Sequence, residues 1–305
     1  MKKIVITGAT SFLGRSVIKR LLKKEYYIYA LCRLNSSSLT YLPKNDKLEI
    51  VYGSLSDMDV VLPLHIKKAD IFIHFAWDGS GRQGRADKII QNKNAEYAVK
   101  ALKIAKQLGC SKFIFPGSQA EYGVRQDIMR ETDHCEPVSA YGKAKLLFQE
   151  FAEQTINRMD ISLIHLRIFS IYGFGDRAGT LVDSCIDTFN SDNSIELGPC
   201  QQFWNFLYIE DFVDIIQIFI NENITSGIYN IASNDTRILK DFVDNIWKVS
   251  KKRGQFVYGA DRFNPEGVPN LRPDISKLMK ILGEYSFTSF EHGILEIMRK
   301  KGIIT

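Results

Sequence analysis

The chain has 305 residues, 45% of them hydrophobic and 25% charged, with a formal net charge of +5. That length suits one large domain with a lobe, or two domains, with a sizeable buried core. Lysines and acids are interspersed, which argues against a nucleic-acid track but leaves room for a local anionic ligand. Five scattered cysteines, Cys32, Cys110, Cys135, Cys185 and Cys200, lack metal-ligand spacing, so no metal site is expected. Their odd number reads as reduced thiols in a cytoplasmic protein. No apolar run reaches transmembrane length, and Met1-Lys2-Lys3 passes at once into a strand-like run, so neither a signal peptide nor a membrane span is expected.

Lys3 to Thr7 is a short β-branched run, followed by Gly8-Ala-Thr-Ser-Phe-Leu-Gly14 and an amphipathic stretch from Arg15 to Lys24. The pattern predicts strand, glycine turn and helix, an arrangement that aims backbone N–H groups and a helix N-terminus at a pyrophosphate. Thr7, Gly8, Ser11, Phe12, Leu13 and Gly14 are therefore candidate cofactor contacts, with Ser11 standing where the Gly-x-x-Gly-x-x-Gly pattern has its middle glycine. A second strand, Tyr27 to Leu31, ends in Cys32-Arg33. An acid at this strand end would hold an adenosine ribose hydroxyl, whereas arginine accommodates a 2'-phosphate, so Arg33 favours NADP(H) over NAD(H).

Leu48 to Tyr52 is the next strand, leading to Ser54 and Leu55, and Ile71 to Phe75 follows, leading to Ala76 and Trp77. A glycine- and arginine-rich segment, Gly79 to Ala86, reads as a loop near the strand ends and a candidate phosphate contact. From Asp87 to Leu108 the period is helical, with Asn94 on the apolar face as either a satisfied structural amide or a functional one. Lys112 to Phe115 is a buried-looking strand ending in Pro116-Gly117-Ser118-Gln119-Ala120-Glu121-Tyr122-Gly123.

Tyr141 and Lys145 follow, four residues apart, which puts both on one face if the stretch is helical. A phenol titrates near pH ~10, and an ammonium held close lowers that value, making tyrosine a usable acid and base. An ordinary amphipathic helix with a surface lysine has the same spacing, so the pair alone is ambiguous. Ile161 to Ile168 is a further strand, ending near Ser170. The strand–helix alternation predicts an α/β fold, a Rossmann-type doubly wound parallel sheet with ligands beyond the carboxyl ends of its strands.

Residues 1–176 are thus read as the dinucleotide-binding domain and 177–305 as mainly a smaller mixed substrate lobe, with 205–232 returning to complete the sheet. In that second part the expected elements are helices at Thr180–Phe189, Glu210–Asn221, Leu239–Val249 and Ile275–Leu282, strands at Trp204–Ile209 and Gly227–Ala232, and a loop at Asn264–Asn270.

With Ser118, Tyr141, Lys145, the glycine turn, Leu207-Tyr-Ile-Glu-Asp211 and Arg272-Pro-Asp-Ile-Ser-Lys277 in order, the chain resembles the extended short-chain dehydrogenase/reductase family, of the NAD-dependent epimerase/dehydratase type acting on nucleotide-diphosphate sugars. His74-Phe-Ala-Trp77 and Ser118-Gln-Ala-Glu-Tyr-Gly123 are closest to its CDP-abequose and CDP-paratose synthase branch. The resemblance implies catalytic roles for Ser118, Tyr141 and Lys145, with Asn94 supporting them. It implies cofactor contacts at Ser54, Leu55, Phe75 and Ala76, and substrate contacts at Trp77, Gln119, Ser170, Trp204, Asn205 and Arg272. It also implies a nucleotide-diphosphate sugar substrate and a homodimer. Departures narrow the reaction. Gln119 and Ala120 replace the Asp-Glu pair of the 4,6-dehydratases, and Ala120 stands where the fucose-forming epimerase-reductases have cysteine. Ser54, Ser170 and Trp204-Asn205 also replace family residues. Reduction of a keto sugar by NADPH is the expected activity, with 4-epimerisation and a non-catalytic NADP(H) sensor as alternatives.

Overall fold

The computed structural model describes residues 1–81, 83–251, 253–260 and 267–305. Arg82 of the 79–86 loop, and residues 264–266 of the 264–270 loop, lie outside the described residues. In chain order the first elements are β1 (Lys2–Thr7), α1 (Phe12–Leu21), β2 (Tyr26–Cys32), β3 (Leu48–Tyr52), α2 (Met58–His65), β4 (Ile71–His74), α3 (Lys88–Gln107), β5 (Lys112–Ser118), α4 (Ala140–Ile156) and β6 (Ser162–Ile168). Then come β7 (Ser170–Tyr172), α5 (Leu181–Asn190), β8 (Ser194–Leu197), β9 (Phe203–Tyr208), α6 (Ile209–Asn221), β10 (Gly227–Ile231), β11 (Thr236–Ile238), α7 (Leu239–Val249), β12 (Gln255–Tyr258), α8 (Ser276–Leu282) and α9 (Phe290–Lys300).

Seven strands form one sheet in the order β10-β6-β5-β4-β1-β2-β3, so the Rossmann-type α/β sheet expected from the alternation is present and β10 completes its edge. The register runs parallel, with Ile4 opposite both Ile28 and Ile71. Ile4, Val5 and Ile6 are wholly buried, as a strand covered on both faces requires. Phe72, Phe113, Phe115 and Phe148 fill the space between sheet and α4, with the Phe115 and Phe148 rings 4.1 Å apart.

The chain divides into two compact units. The first comprises Met1–Gly123, His134–Arg167 and Val213–Tyr229; the second comprises Val124–Asp133, Ile168–Phe212 and Asn230–Thr305. Within the second, β11, β9 and β7 form a small mixed sheet and β12 pairs with β8. Its centre is an aromatic cluster of Tyr172, Phe206, Phe242 and Phe290.

Three of the departures from the expected elements have local reasons. α1 begins at Phe12 and not Arg15, because the Ser11 hydroxyl caps it by accepting the Gly14 N–H at 3.1 Å. β5 continues through Pro116 to Ser118. α2 escaped the sequence reading because it is short and carries Pro63 inside, a residue that normally argues against helix.

Candidate active site

The glycine turn is shaped by close approach. Gly8 has φ of 67°, and a Cβ there would lie 2.5 Å from the Ala76 nitrogen; one on Gly14 would lie 2.2 Å from the Gly8 oxygen. The turn therefore lies against the end of β4 with α1 directly behind it. Thr7 is buried beneath it, its hydroxyl 2.8 Å from His74 Nδ1 and accepting the Ala76 N–H at 3.3 Å. Phe12 and Leu13 form the first turn of α1, half-buried. Arg33 is exposed immediately after β2. The Ser54 hydroxyl and N–H both donate to Asp57, at 2.8 and 2.6 Å, and Leu55 is half-buried beside them. Those bonds hold the Asp57 carboxyl below the usual range.

At the heart of the first unit, α4 brings Tyr141 and Lys145 to one face. The Lys145 ammonium donates to the Pro116 carbonyl at 2.7 Å and stands 3.5 Å from the Trp77 ring centroid and 5.6 Å from that of Tyr141. Lys145 is 2% exposed. Burial pushes its pKa well below that of an ordinary lysine; Glu121 opposes this and Arg85 adds to it. Trp77 meets Tyr141 edge to face, with centroids 6.0 Å apart. The start of α4 reaches the turn led by Ser118 because residue 142 is glycine: a Cβ there would lie 2.4 Å from the Ala120 oxygen. Ser118 is buried and its hydroxyl accepts the Ala120 N–H at 3.2 Å, while Gln119 is half-buried.

Asn94 is buried, unlike the exposed Asn92, and its amide exchanges two hydrogen bonds with the backbone of Asp78, at 2.8 and 3.0 Å. Both polar ends are thus engaged in holding the segment that follows Trp77. The remaining substrate candidates belong to the second unit. Ser170 is half-buried in β7, and Arg272 stacks on Phe203 with its guanidinium 4.8 Å from the ring centroid. Trp204 is half-buried in β9, and its indole N–H has no partner among the described residues. Asn205 is wholly buried and its amide donates to Ser233, Asp235 and Thr236. Its observed work is to hold the 233–236 turn; a substrate contact from this side chain would first have to break those bonds.

Sequence reasoning missed a second tier. Glu121, fully buried, accepts the Ser118 N–H at 2.7 Å, His165 Nε2 at 3.0 Å and Arg167 Nε at 2.9 Å. Gly117 makes room for it, since a Cβ there would sit 2.2 Å from His165 Nε2. Burial pushes the Glu121 carboxyl up, but His165, Arg167 and Ser118 together hold it below the carboxylate range. Two signals could have revealed it: the Ser-x-x-Glu spacing of a capping box, and His165 and Arg167 on one face of an otherwise apolar strand. Arg85 was also missed; its guanidinium stands 4.2 Å from the Tyr141 ring centroid. Among the described residues no group of His, Cys, Asp or Glu is arranged to hold a metal ion, and no helix is long and apolar enough to cross a membrane.

CDP-abequose synthase of Yersinia pseudotuberculosis is 24% identical over 278 residues, covering 89% of this chain and 92% of that protein. Among solved structures, UDP-glucuronic acid 4-epimerase from Bacillus cereus, in complex with UDP-glucuronic acid and NAD, superposes with a TM-score of 0.84 at 21% identity, covering 98% of this chain and 99% of that one. UDP-N-acetylglucosamine 4-epimerase from Methanobrevibacter ruminantium M1 gives a TM-score of 0.84 at 19% identity, with 98% and 99% covered. Residues 4–232 match the NAD-dependent epimerase/dehydratase family, and the chain belongs to that family of enzymes.

Proposed function

We propose that this protein is a cytoplasmic NADP(H)-dependent reductase of a nucleotide-linked keto-deoxy sugar, of the 4-ketoreductase type. The observation that carries the reading is the company kept by Tyr141: Lys145 on its own helix face and the Ser118 turn against the start of that helix, with Gln119 and Ala120 in place of a carboxylate pair. A phenol beside cations can give a proton to a sugar oxygen, and Ser118 would hydrogen-bond the same oxygen and polarise the ketone. Without paired carboxylates, β-elimination has no second base. Asn94 supports the site at one remove, through the backbone of Asp78.

The glycine turn fits a dinucleotide: side chains at Gly8 and Gly14 would collide with the backbone of Ala76 and of Gly8, so glycine lets the turn close tightly ahead of the α1 N-terminus, the end of a helix that suits a pyrophosphate. Thr7, Gly8, Ser11 to Gly14, Ser54, Leu55, Phe75 and Ala76 would hold the cofactor, with exposed Arg33 taking a 2'-phosphate. Bound NADPH supplies a hydride; the chain's own residues orient the ketone and deliver the proton. Trp77, Gln119, Ser170, Trp204 and Arg272 are the proposed substrate contacts. The similarity to CDP-abequose synthase supports a nucleotide-sugar substrate.

A second reading, 4-epimerisation with NAD, is favoured by the solved relatives that carry UDP-sugars. Incubation with NADPH and a panel of nucleotide-linked 4-keto-6-deoxy and 3,6-dideoxy sugars separates the two. The reductase reading expects NADPH oxidation matched by alcohol formation. Inversion of a UDP-hexose with no net cofactor consumption, and no ketone reduced, gives the site to the epimerase reading instead.

A further inference from the structure

Two basic side chains of different character approach the Tyr141 ring. Lys145 comes from its own helix, and Arg85 comes from the loop ahead of α3, with its guanidinium carbon 4.2 Å from the ring centroid. The lysine is buried, and its direct contacts go to the Pro116 carbonyl and the Trp77 ring. Burial disfavours its charged form. Arg85 is half-buried, where charge costs little, and a guanidinium stays protonated at any working pH.

We infer that Arg85 is a positioning residue for Tyr141, holding the ring by its face and supplying a permanent positive charge that favours the phenolate. The inference rests on Tyr141 being the acid and base of the proposed reaction. It divides between two residues a task that the four-residue spacing gives to Lys145 alone.

The loop is built to deliver this side chain. Gly79 takes φ of 66°, and a Cβ on Gly84 would lie 2.4 Å from the Gly79 Cα, so the loop closes tightly on itself. Gln91, wholly buried, donates to the Gly79 and Gly84 carbonyls at 3.1 and 2.8 Å while accepting the Trp77 indole N–H at 2.7 Å. One amide thus fixes both the residue preceding Arg85 and the ring that meets Tyr141 edge on. The Arg85 N–H donates to the Gly81 carbonyl at 3.0 Å, and Asp87 caps α3 just beyond.

Among the described residues, two other titratable groups near the pair do not substitute for this charge. His74, at the end of β4, is kept neutral by burial and by Lys145, its pKa pushed down to about 3. Glu121, from the turn after β5, is of opposite sign and engaged with His165 and Arg167. A unit charge at this separation, discounted for partial exposure, should move a phenol pKa by about one unit.

The test is titration of Tyr141 in the full chain without added ligand, labelled with ring-¹³C tyrosine, the resonance assigned by its loss in Tyr141→Phe. Arg85→Ala and Arg85→Gln should raise the apparent pKa by about one unit, and Arg85→Lys should stay within a few tenths of the parent. Unshifted titration in both neutral variants overturns the inference. So does an equal rise in Arg85→Lys, which would make the effect one of packing and not charge. Unchanged resonances of the remaining tyrosines confirm that each variant is folded. Because no turnover is read, failure here is distinct from failure to find a reducible sugar.

Discussion

Replacing Glu121 by glutamine keeps the shape of the side chain and removes its charge, and the structure says what that charge does. The carboxylate collects the Ser118 N–H at 2.7 Å, Arg167 Nε at 2.9 Å and His165 Nε2 at 3.0 Å, with its own side chain at 0% exposure and that of Arg167 at 3%. Removing one member of a buried ion pair strands the other, which costs about 3 to 5 kcal/mol, less whatever the new amide oxygen recovers from one donor. A loss of about 3 kcal/mol is expected, a large fraction of a typical total stability of about 5 to 15 kcal/mol. Urea denaturation of the full chain at neutral pH reads it as a fall in midpoint, and Glu121→Gln combined with Arg167→Met should recover part of the loss. The pH dependence has a definite sign. The carboxyl is held below its ordinary value of 4.5 in the folded state, so its stabilisation is complete above that pH and drains away as pH falls through the folded value. The gap between parent and Glu121→Gln should therefore be widest near neutrality and narrow below pH 4.5. A variant within about 1 kcal/mol of the parent at neutral pH would refute the reasoning, since the network would then not carry the Arg167 charge.

Tyr141→Phe should abolish ketone reduction and leave cofactor affinity nearly intact, checked by turnover assay beside fluorescence titration with NADPH. Arg33→Asp should weaken NADPH binding far more than NADH binding in isothermal titration; equal losses would remove the 2'-phosphate role. Gly142→Ala would press a methyl group to 2.4 Å from the Ala120 oxygen, forcing α4 away from the Ser118 turn. Turnover should fall at least tenfold while the unfolding midpoint moves less than in Glu121→Gln, and full turnover would mean that the close approach is not needed.

The central sheet was legible because its inner strands are buried on both faces and read as short apolar runs between glycines and helical periods; even β10, far along the chain, announced itself as an isolated apolar run. What escaped was mostly short elements, with one longer helix, α9, near the end of the chain. α2 hid behind Pro63, and the short strands β7, β8, β11 and β12 of the second unit are of three or four residues, too few for a period-two pattern to stand out. Among site residues, the helical spacing of Tyr141 and Lys145 is a one-dimensional signal and survived. Glu121 meets His165 and Arg167 only through strands far apart in sequence, so the capping-box spacing and the His-x-Arg spacing each flag a part of the set but not their meeting. At Asn205 a family position suggests a ligand contact, and the folded chain also engages that amide in a turn.

The buried charges also explain why the two missed residues, Glu121 and Arg85, belong to one electrostatic problem. An ammonium with 2% exposure cannot rely on solvent, and the first unit offers it a carbonyl, an aromatic face and, from behind the Ser118 turn, a carboxylate. That carboxylate would itself be unstable in the interior without His165 and Arg167. So the carboxylate that opposes the loss of the Lys145 charge is itself held by buried partners reaching across β5 to β6, while half-buried Arg85 needs none of them. A tyrosine with both side chains beside it keeps a cation nearby even where the lysine sheds its proton, and the loop geometry around Gly79, Gly84 and Gln91 becomes part of the acid–base apparatus, although none of those three residues touches the phenol's proton.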